Sequence, residues 1–93
     1  MRWPGVLEPE REIDRLAAHI DISPTLLNLC GISPPVEPRS DGLSLAPLLR
    51  GEAGDWPDRE IAIQSDRVPV PRPWDNACVR GERYKLVNGD ELY

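Results

Sequence analysis

Proline constrains this chain more than any other residue, because it divides the sequence into short stretches. Eleven of the 93 residues are proline and seven are glycine. Proline removes a hydrogen-bond donor and is excluded from the interior of most helices and strands. Short apolar segments therefore remain for regular structure, separated by connectors at residues 33–42, 52–58 and 68–73. We expect short helices and strands joined by irregular connectors.

The supply of large apolar side chains is small. Phenylalanine is absent, and the aromatic residues are Trp3, Trp56, Trp74, Tyr84 and Tyr93. By length alone the chain supports one small domain, which would bury roughly 60–65% of its unfolded surface. These limits argue against an enzyme that folds and works on its own.

The charge balance argues against nucleic-acid and membrane partners. Sixteen acidic and 11 basic residues give a net charge of −5 without a basic stripe. No apolar run approaches the roughly 18–20 residues of a transmembrane helix, and the first residues lack the apolar core of an export signal. Cys30 and Cys78 are interpreted as two separate thiols. The cellular compartment is left open.

The first apolar segment has two interpretations. Four residues recur with the period of an amphipathic helix, namely Ile13, Leu16, Ala17 and Ile20. The alternative is a half-buried strand over residues 13–20, followed by a helix over about residues 24–30. Ser23 is the predicted N-cap of that helix, Pro24 suits its first turn, and Gly31 is a natural C-terminal stop.

A second short helix is predicted after the first connector. Asp41-Gly42 marks a turn, and residues 44–51 then read as a capped helix. Ser44 is its predicted N-cap, Pro47 lies in its first turn and Gly51 ends it.

The last third of the chain predicts an antiparallel meander. Residues 60–64 alternate polar and apolar side chains, which indicates a strand with one covered face. Residues 76–80 and 84–87 flank a turn at residues 81–83 and form a predicted hairpin. A tight turn at Asn88-Gly89-Asp90 then leads into Glu91-Leu92-Tyr93.

Four strings of residues occur in order over nearly the whole chain. They are Arg2-Trp3-Pro4-Gly5, a D-x-x-P-T-L-x-x-x-x-G pattern at residues 21–31, a D-G-x-S-L-x-P-L-L-x-G pattern at residues 41–51, and Val79-Arg80-Gly81-Glu82-Arg83-Tyr84-Lys85-Leu86 followed by Glu91-Leu92-Tyr93. Together they resemble the C-terminal part of the type I sulfatases, which are arylsulfatase-like members of the alkaline phosphatase superfamily.

The resemblance implies an α+β fragment in two parts. Residues 1–51 would be a strand–helix tail of the large α/β sulfatase domain, and residues 56–93 part of the small C-terminal antiparallel sheet. It also implies that residues 13–20 form a strand, because the interior of a large sheet overrides a weak helical period. Asp21 would lie at the strand-to-helix turn and accept hydrogen bonds from backbone N–H groups there.

The reaction that the resemblance implies is the hydrolysis of sulfate monoesters, a sulfuric ester hydrolase activity. Family members use calcium and a formylglycine made from the cysteine of a C-x-[PA]-x-R motif. Neither Cys30 nor Cys78 lies in such a motif, and no other catalytic residue of the family matches a position of this chain. We therefore predict no catalytic, cofactor-binding or metal-binding residue here, and whether the chain is an enzyme is left open.

The expected function is that of a C-terminal sulfatase fragment, inactive alone. Its expected partner is the missing N-terminal sulfatase domain or a complementing chain. Two alternatives stay open: a fragment of a related phosphodiesterase or phosphonate hydrolase, and a non-enzymatic interaction module. The substrate of the parent enzyme is not determined by the sequence.

Three residues are candidates for substrate contact, because the C-terminal sheet borders the active-site cleft in the resembled family: Gln64, Arg67 and Trp74. Three basic residues of the last hairpin are alternatives, although a solvated strand face is the preferred interpretation: Arg80, Arg83 and Lys85.

Other reactive side chains have structural interpretations. His19 and Asp21 supply at most two ligands, whereas a zinc site uses three or four protein ligands. Ser23 and Ser44 are interpreted as helix caps and not as nucleophiles.

Overall fold

The computed structural model describes residues 1–37, 39–52, 54 and 56–93. The described chain forms two compact units, Met1–Trp56 and Pro57–Tyr93. Pro38 of the first predicted connector, and Ala53 and Asp55 of the predicted loop around Trp56, lie outside the described residues. The assignment of residues 1–51 and 56–93 to two sulfatase domains stays a prediction.

The first unit contains two short helices. A 3₁₀ turn, His19–Asp21, leads directly into α1, Ile22–Leu29, and α2 spans Ala46–Leu49. The helix begins earlier than predicted, and the prediction of Ser23 as N-cap is wrong: Asp21 occupies that position, with φ −82° and ψ −15°. The 3₁₀ turn already sets the backbone to a helical conformation before Ser23, which leaves that residue inside the first turn.

Glycines end both helices, as predicted. Gly31 has φ 68°, and its N–H donates to the Asn28 carbonyl at 3.1 Å. Gly51 has φ 75°, and its N–H donates to the Leu48 carbonyl at 3.1 Å. Both are left-handed residues that follow a helix, the conformation that favours glycine. At the other end of α2 the prediction of Ser44 as N-cap is wrong: Leu45 occupies that position, and the Ser44 hydroxyl, one residue earlier, accepts a hydrogen bond from the Ala46 N–H at 3.3 Å.

A pair of buried polar residues joins the parts of this unit. Asp21 is 0% and Thr25 1% exposed. The Asp21 carboxylate accepts hydrogen bonds from the N–H of Ala18 at 2.7 Å and of Leu43 at 2.9 Å. The Thr25 hydroxyl donates to the Asp21 carbonyl at 2.6 Å and accepts from the Leu45 N–H at 2.8 Å. The predicted structural role of Asp21 is therefore confirmed, and it extends to the connector before α2.

The second unit is a four-stranded antiparallel meander. Its strands are β1, Ile61–Gln64, β2, Ala77–Arg80, β3, Lys85–Val87, and β4, Glu91–Leu92, and they pair in chain order. Asn88 and Gly89 have φ values of 52° and 83°, the positive pair that a type I′ turn requires. The predicted meander is confirmed.

The side chains of the sheet are more exposed than the alternation in β1 predicts. Ile61 is buried, whereas Ile63 on the same face is 53% exposed. The other strands are half-buried or exposed. The predicted covered face therefore exists only at the Ile61 end of β1.

Residues 11–18 form neither the predicted strand nor the alternative helix. They have no regular secondary structure, although Ala18 has extended backbone with φ −139° and ψ 168°. A strand exists only beside a hydrogen-bonded neighbour, and every strand pair of the described residues lies within β1–β4. The α+β class is nevertheless confirmed by the short helices and the antiparallel sheet. Across the described part of the chain, no helix combines the length and apolar character needed to cross a bilayer.

Thr25→Val tests the buried polar pair. Valine keeps the shape of threonine but leaves the Leu45 N–H without its acceptor, so we expect the first unit to lose about 1–3 kcal/mol of stability. Amide hydrogen exchange measured by NMR should quicken at Leu45. Thr25→Ser keeps the hydroxyl and serves as the control; equal exchange rates at Leu45 in the wild type and Thr25→Val would contradict the assigned role.

Gly42→Ala tests how closely the connector passes the 3₁₀ turn. A Cβ at Gly42 would overlap the backbone carbonyl of Ile20, which cannot move without disturbing the turn. We expect a loss of about 1–3 kcal/mol in urea unfolding. Gly54→Ala is the matched control, because a Cβ there meets no atom of the described residues within 4 Å. A similar small effect of both substitutions would refute the close approach.

Candidate functional site

The predicted contact residue Gln64 organises the connector between β1 and β2. Its Nε2 donates to the carbonyl of Arg72 at 3.0 Å and to the carbonyl of Asp75 at 3.3 Å. These two carbonyls lie on either side of Trp74 in the chain. The structure therefore joins Gln64 to the segment 72–76, which we call the Trp74 loop.

Trp74 lies at the centre of this loop in a strained conformation. Its φ is 65°, a left-handed value that is unusual for a bulky residue, and Asn76 follows with φ 48°. The Trp74 side chain packs against Gly89, where an added Cβ would lie 3.2 Å from Trp74 Cγ. The residue is still 53% exposed. A fixed and exposed indole is suited to stack against a flat apolar face of a ligand.

Arg67 lies apart from this arrangement. Its backbone N–H donates to the Asp66 carboxylate at 3.0 Å, and the residue is exposed. None of the contacts of the described residues joins Arg67 to Gln64 or Trp74. The structure thus brings two of the three candidates together. Whether any of them contacts a substrate stays a prediction.

The support beneath Trp74 is the part of this site that the sequence interpretation missed. Gly89 belongs to the Asn88-Gly89 turn, which was predicted only as a connection between strands. The Asn-Gly dipeptide signals the turn. However, no local pattern indicates that an indole from another connector rests on it.

The chain's own residues do not fit the family's calcium or formylglycine chemistry. Among the described residues, no group of three or more His, Cys, Asp and Glu side chains lies close enough to hold a metal ion. His19 is exposed, and both carboxylate oxygens of Asp21 accept backbone hydrogen bonds. Neither Cys30 nor Cys78 lies in a C-x-[PA]-x-R motif. No catalytic step is assigned to these residues.

Comparison with known proteins identifies the family. The family model for the C-terminal region of N-sulphoglucosamine sulphohydrolase matches residues 1–90. The chain belongs to this family. The predicted resemblance to the C-terminal part of a sulfatase is thereby confirmed.

Individual sulfatases match this member of the N-sulphoglucosamine sulphohydrolase C-terminal family to different extents. The Delta 4,5-hexuronate-2-O-sulfatase of Bacteroides thetaiotaomicron is 36% identical over 99 residues, an alignment that covers 97% of this chain and 20% of that protein. The ulvan-active sulfatase of Formosa agariphila is 25% identical over 87 residues, covering 92% of the chain and 17% of the relative. The steryl-sulfatase of Rattus norvegicus is 39% identical over 51 residues, covering 55% of the chain and 9% of that relative.

The chain is much shorter than the relatives that it matches. It spans about a fifth of the hexuronate sulfatase and about a tenth of the steryl-sulfatase. No solved structure matches the chain.

Gln64→Ala tests how the Trp74 loop is held. Loss of two hydrogen bonds to the Arg72 and Asp75 carbonyls should loosen the loop, and we expect NMR order parameters of its amides to fall below about 0.6. Arg72→Ala is the control, because Arg72 contributes its backbone carbonyl and that bond survives the substitution. Unchanged order parameters in Gln64→Ala would show that the loop is held by other contacts.

Proposed function

We propose that this chain supplies the C-terminal part of a sulfatase that removes a sulfate group from a saccharide. The observation that carries the proposal is the match over 97% of the chain to a hexuronate-2-O-sulfatase. The family model and the ulvan-active sulfatase are likewise named for saccharides, sulphoglucosamine and ulvan. In this proposal the parent reaction is hydrolysis of a sulfate monoester.

The role of this chain in that reaction is to contact substrate through the Trp74 loop. An exposed indole, held by Gln64 and supported by Gly89, offers a rigid flat surface. Such a surface loses little conformational entropy on binding. Arg67, on the same connector and exposed, would add a positive charge for an acidic sugar.

We further propose that the chain is inactive without an N-terminal sulfatase region, in the same polypeptide or as a complementing chain. The nucleophile motif of the family is absent from these 93 residues. The sheet supports the same conclusion, because strands β2–β4 are half-buried or exposed in the described structure. A small antiparallel sheet is normally covered on at least one face.

A chimera tests the proposed function. The chain replaces the matching C-terminal part of the Bacteroides hexuronate-2-O-sulfatase, and release of sulfate from a 2-O-sulfated unsaturated hexuronate is measured. We expect turnover by the chimera and none above the blank by the chain alone. In the chimera, Trp74→Ala should raise KM about tenfold while kcat changes little, because an indole that covers the apolar face of a sugar contributes on the order of 1–2 kcal/mol to binding, and about 1.4 kcal/mol corresponds to tenfold.

The matched control is Trp56→Ala, which removes the same ring from the predicted polar loop and should leave KM unchanged. Turnover by the chain alone would refute its dependence on a partner. A folded chimera without turnover would refute the proposed sulfatase role, and an unchanged KM in Trp74→Ala would refute the contact.

A further inference from the structure

The end of the β2–β3 hairpin surrounds a pocket that does not include the Trp74 loop. Its volume is about 250 Å³. Six of its lining residues carry charged or aromatic side chains: Arg80, Glu82, Arg83, Tyr84, Lys85 and Tyr93. We call this site the hairpin pocket. Three cationic side chains and one acidic side chain make its lining locally basic, although the whole chain has a net charge of −5.

Two of the cations lie directly opposite each other in the sheet. Arg80 and Lys85 are register partners in the antiparallel pair β2–β3, so their side chains project from the same face. Like charges in this position repel and weaken the sheet. A pairing of this kind is unfavourable for the fold alone, but it suits a site whose occupant is an anion.

Aromatic rings contact two of the three cations without neutralising them. Lys85 Nζ lies 5.3 Å from the centroid of the Tyr93 ring, and Arg83 Cζ lies 5.2 Å from that of Tyr84. Backbone hydrogen bonds in both directions fix Tyr93 opposite Lys85, at 2.8 and 3.0 Å. A cation–π contact restricts a cation but leaves its charge and N–H donors available to a ligand, whereas an ion pair would satisfy them. In the described part of the chain, the contacts recorded for the Arg83 and Lys85 side chains are these cation–π contacts.

We propose that the hairpin pocket binds a sulfate group carried by a saccharide. Guanidinium and ammonium groups form charge-assisted hydrogen bonds to oxyanions, and a planar guanidinium matches two oxygens at once. Tyr84 and Tyr93 are 54% and 67% exposed and present flat rings on which a sugar can stack. The volume suits one charged group and part of its sugar, since pockets for larger ligands occupy roughly 300–1,000 Å³. The preference for an anion rests on the pocket alone, whereas the saccharide rests on the proposed function.

Binding to the 93-residue chain tests the proposal. The wild type and the Arg80→Gln/Lys85→Gln double variant are titrated with a 2-O-sulfated uronate disaccharide, the same disaccharide without sulfate, and sodium sulfate. NMR shifts of the amides at residues 80–85 and 93 report binding at the pocket. We expect saturable shifts there with the sulfated sugar and at least roughly tenfold weaker binding by the double variant. Arg15→Gln, a single exposed charge in the first unit, should bind like the wild type.

Thermal unfolding distinguishes ligand binding from a purely structural role of Arg80 and Lys85, because the two roles predict opposite changes in the Tm of the ligand-free double variant. Removing the Arg80–Lys85 repulsion should leave the Tm of the ligand-free chain equal or higher. The sulfated disaccharide should raise the Tm of the wild type but not that of the double variant, because only a ligand that binds the native state stabilises it. A lower Tm of the ligand-free variant would assign the two cations to folding and overturn the proposal.

Other outcomes would also overturn it. One is equal affinity of the wild type and the double variant for the sulfated disaccharide. Another is that the wild type binds the unsulfated sugar, or sodium sulfate, as tightly as the sulfated sugar. The last is that amide shifts occur only at residues 72–76. Failure of this proposal is distinguishable from failure of the proposed function. Sugar binding to the chain requires no turnover, and the chimera's activity does not require this pocket.

Discussion

Burial of Asp21 and Thr25 is the constraint on which the first unit depends. Two polar side chains removed from water must each find hydrogen-bond partners within the protein, or the fold bears the cost of their desolvation. Their partners are the N–H groups of Ala18, Leu43 and Leu45 and the carbonyl of Asp21. Two of these contacts join residues that are 20 and 22 positions apart in the chain, without requiring a large apolar core. The proline-rich connector between α1 and α2 is thereby attached at its far end.

The same network explains the need for glycine at position 42. The connector reaches Asp21 only by passing against the backbone of Ile20, where no Cβ fits. Apolar burial then completes the unit through Leu29, Ala46 and Leu48. The short helices are therefore stabilised by a few specific hydrogen bonds together with a small apolar cluster. This agrees with the small number of large apolar side chains in the sequence.

The second unit depends on turn geometry to a greater extent than on burial. Asn88-Gly89 connects β3 to β4 and also supports the Trp74 indole, while the β2–β3 turn places three cations around the hairpin pocket. Strain at Trp74 and repulsion between Arg80 and Lys85 are both unfavourable for folding. Such costs concentrate where a protein binds ligands. Both sites of this unit thus combine rigid turns with locally unfavourable groups.

Much of the fold was predictable because its signals are local. Pro24 and Gly31 indicated α1, Gly51 the end of α2, and Asn88-Gly89 the last turn. The absence of a strand over residues 13–20 was not predictable in this way, because a strand depends on a neighbour that local sequence does not specify. The N-cap was misplaced for a similar reason, since the preceding 3₁₀ turn is held by the distant Leu43 N–H through Asp21.

For the candidate site, the sequence indicated residues but not their arrangement. By sequence, Gln64 ends a predicted strand, and Arg67 and Trp74 follow it along the chain. Only the folded chain shows that Gln64 binds the carbonyls flanking Trp74 while Arg67 stays apart. Proline and glycine placement, charge balance and the sulfatase-like strings are properties of the chain itself. The sequence alone therefore determined the family, the α+β class and the positions of the turns. Tertiary structure decided which polar groups are buried, which cations lie opposite each other and which ring rests on Gly89, because each of these depends on contacts between residues distant in the chain.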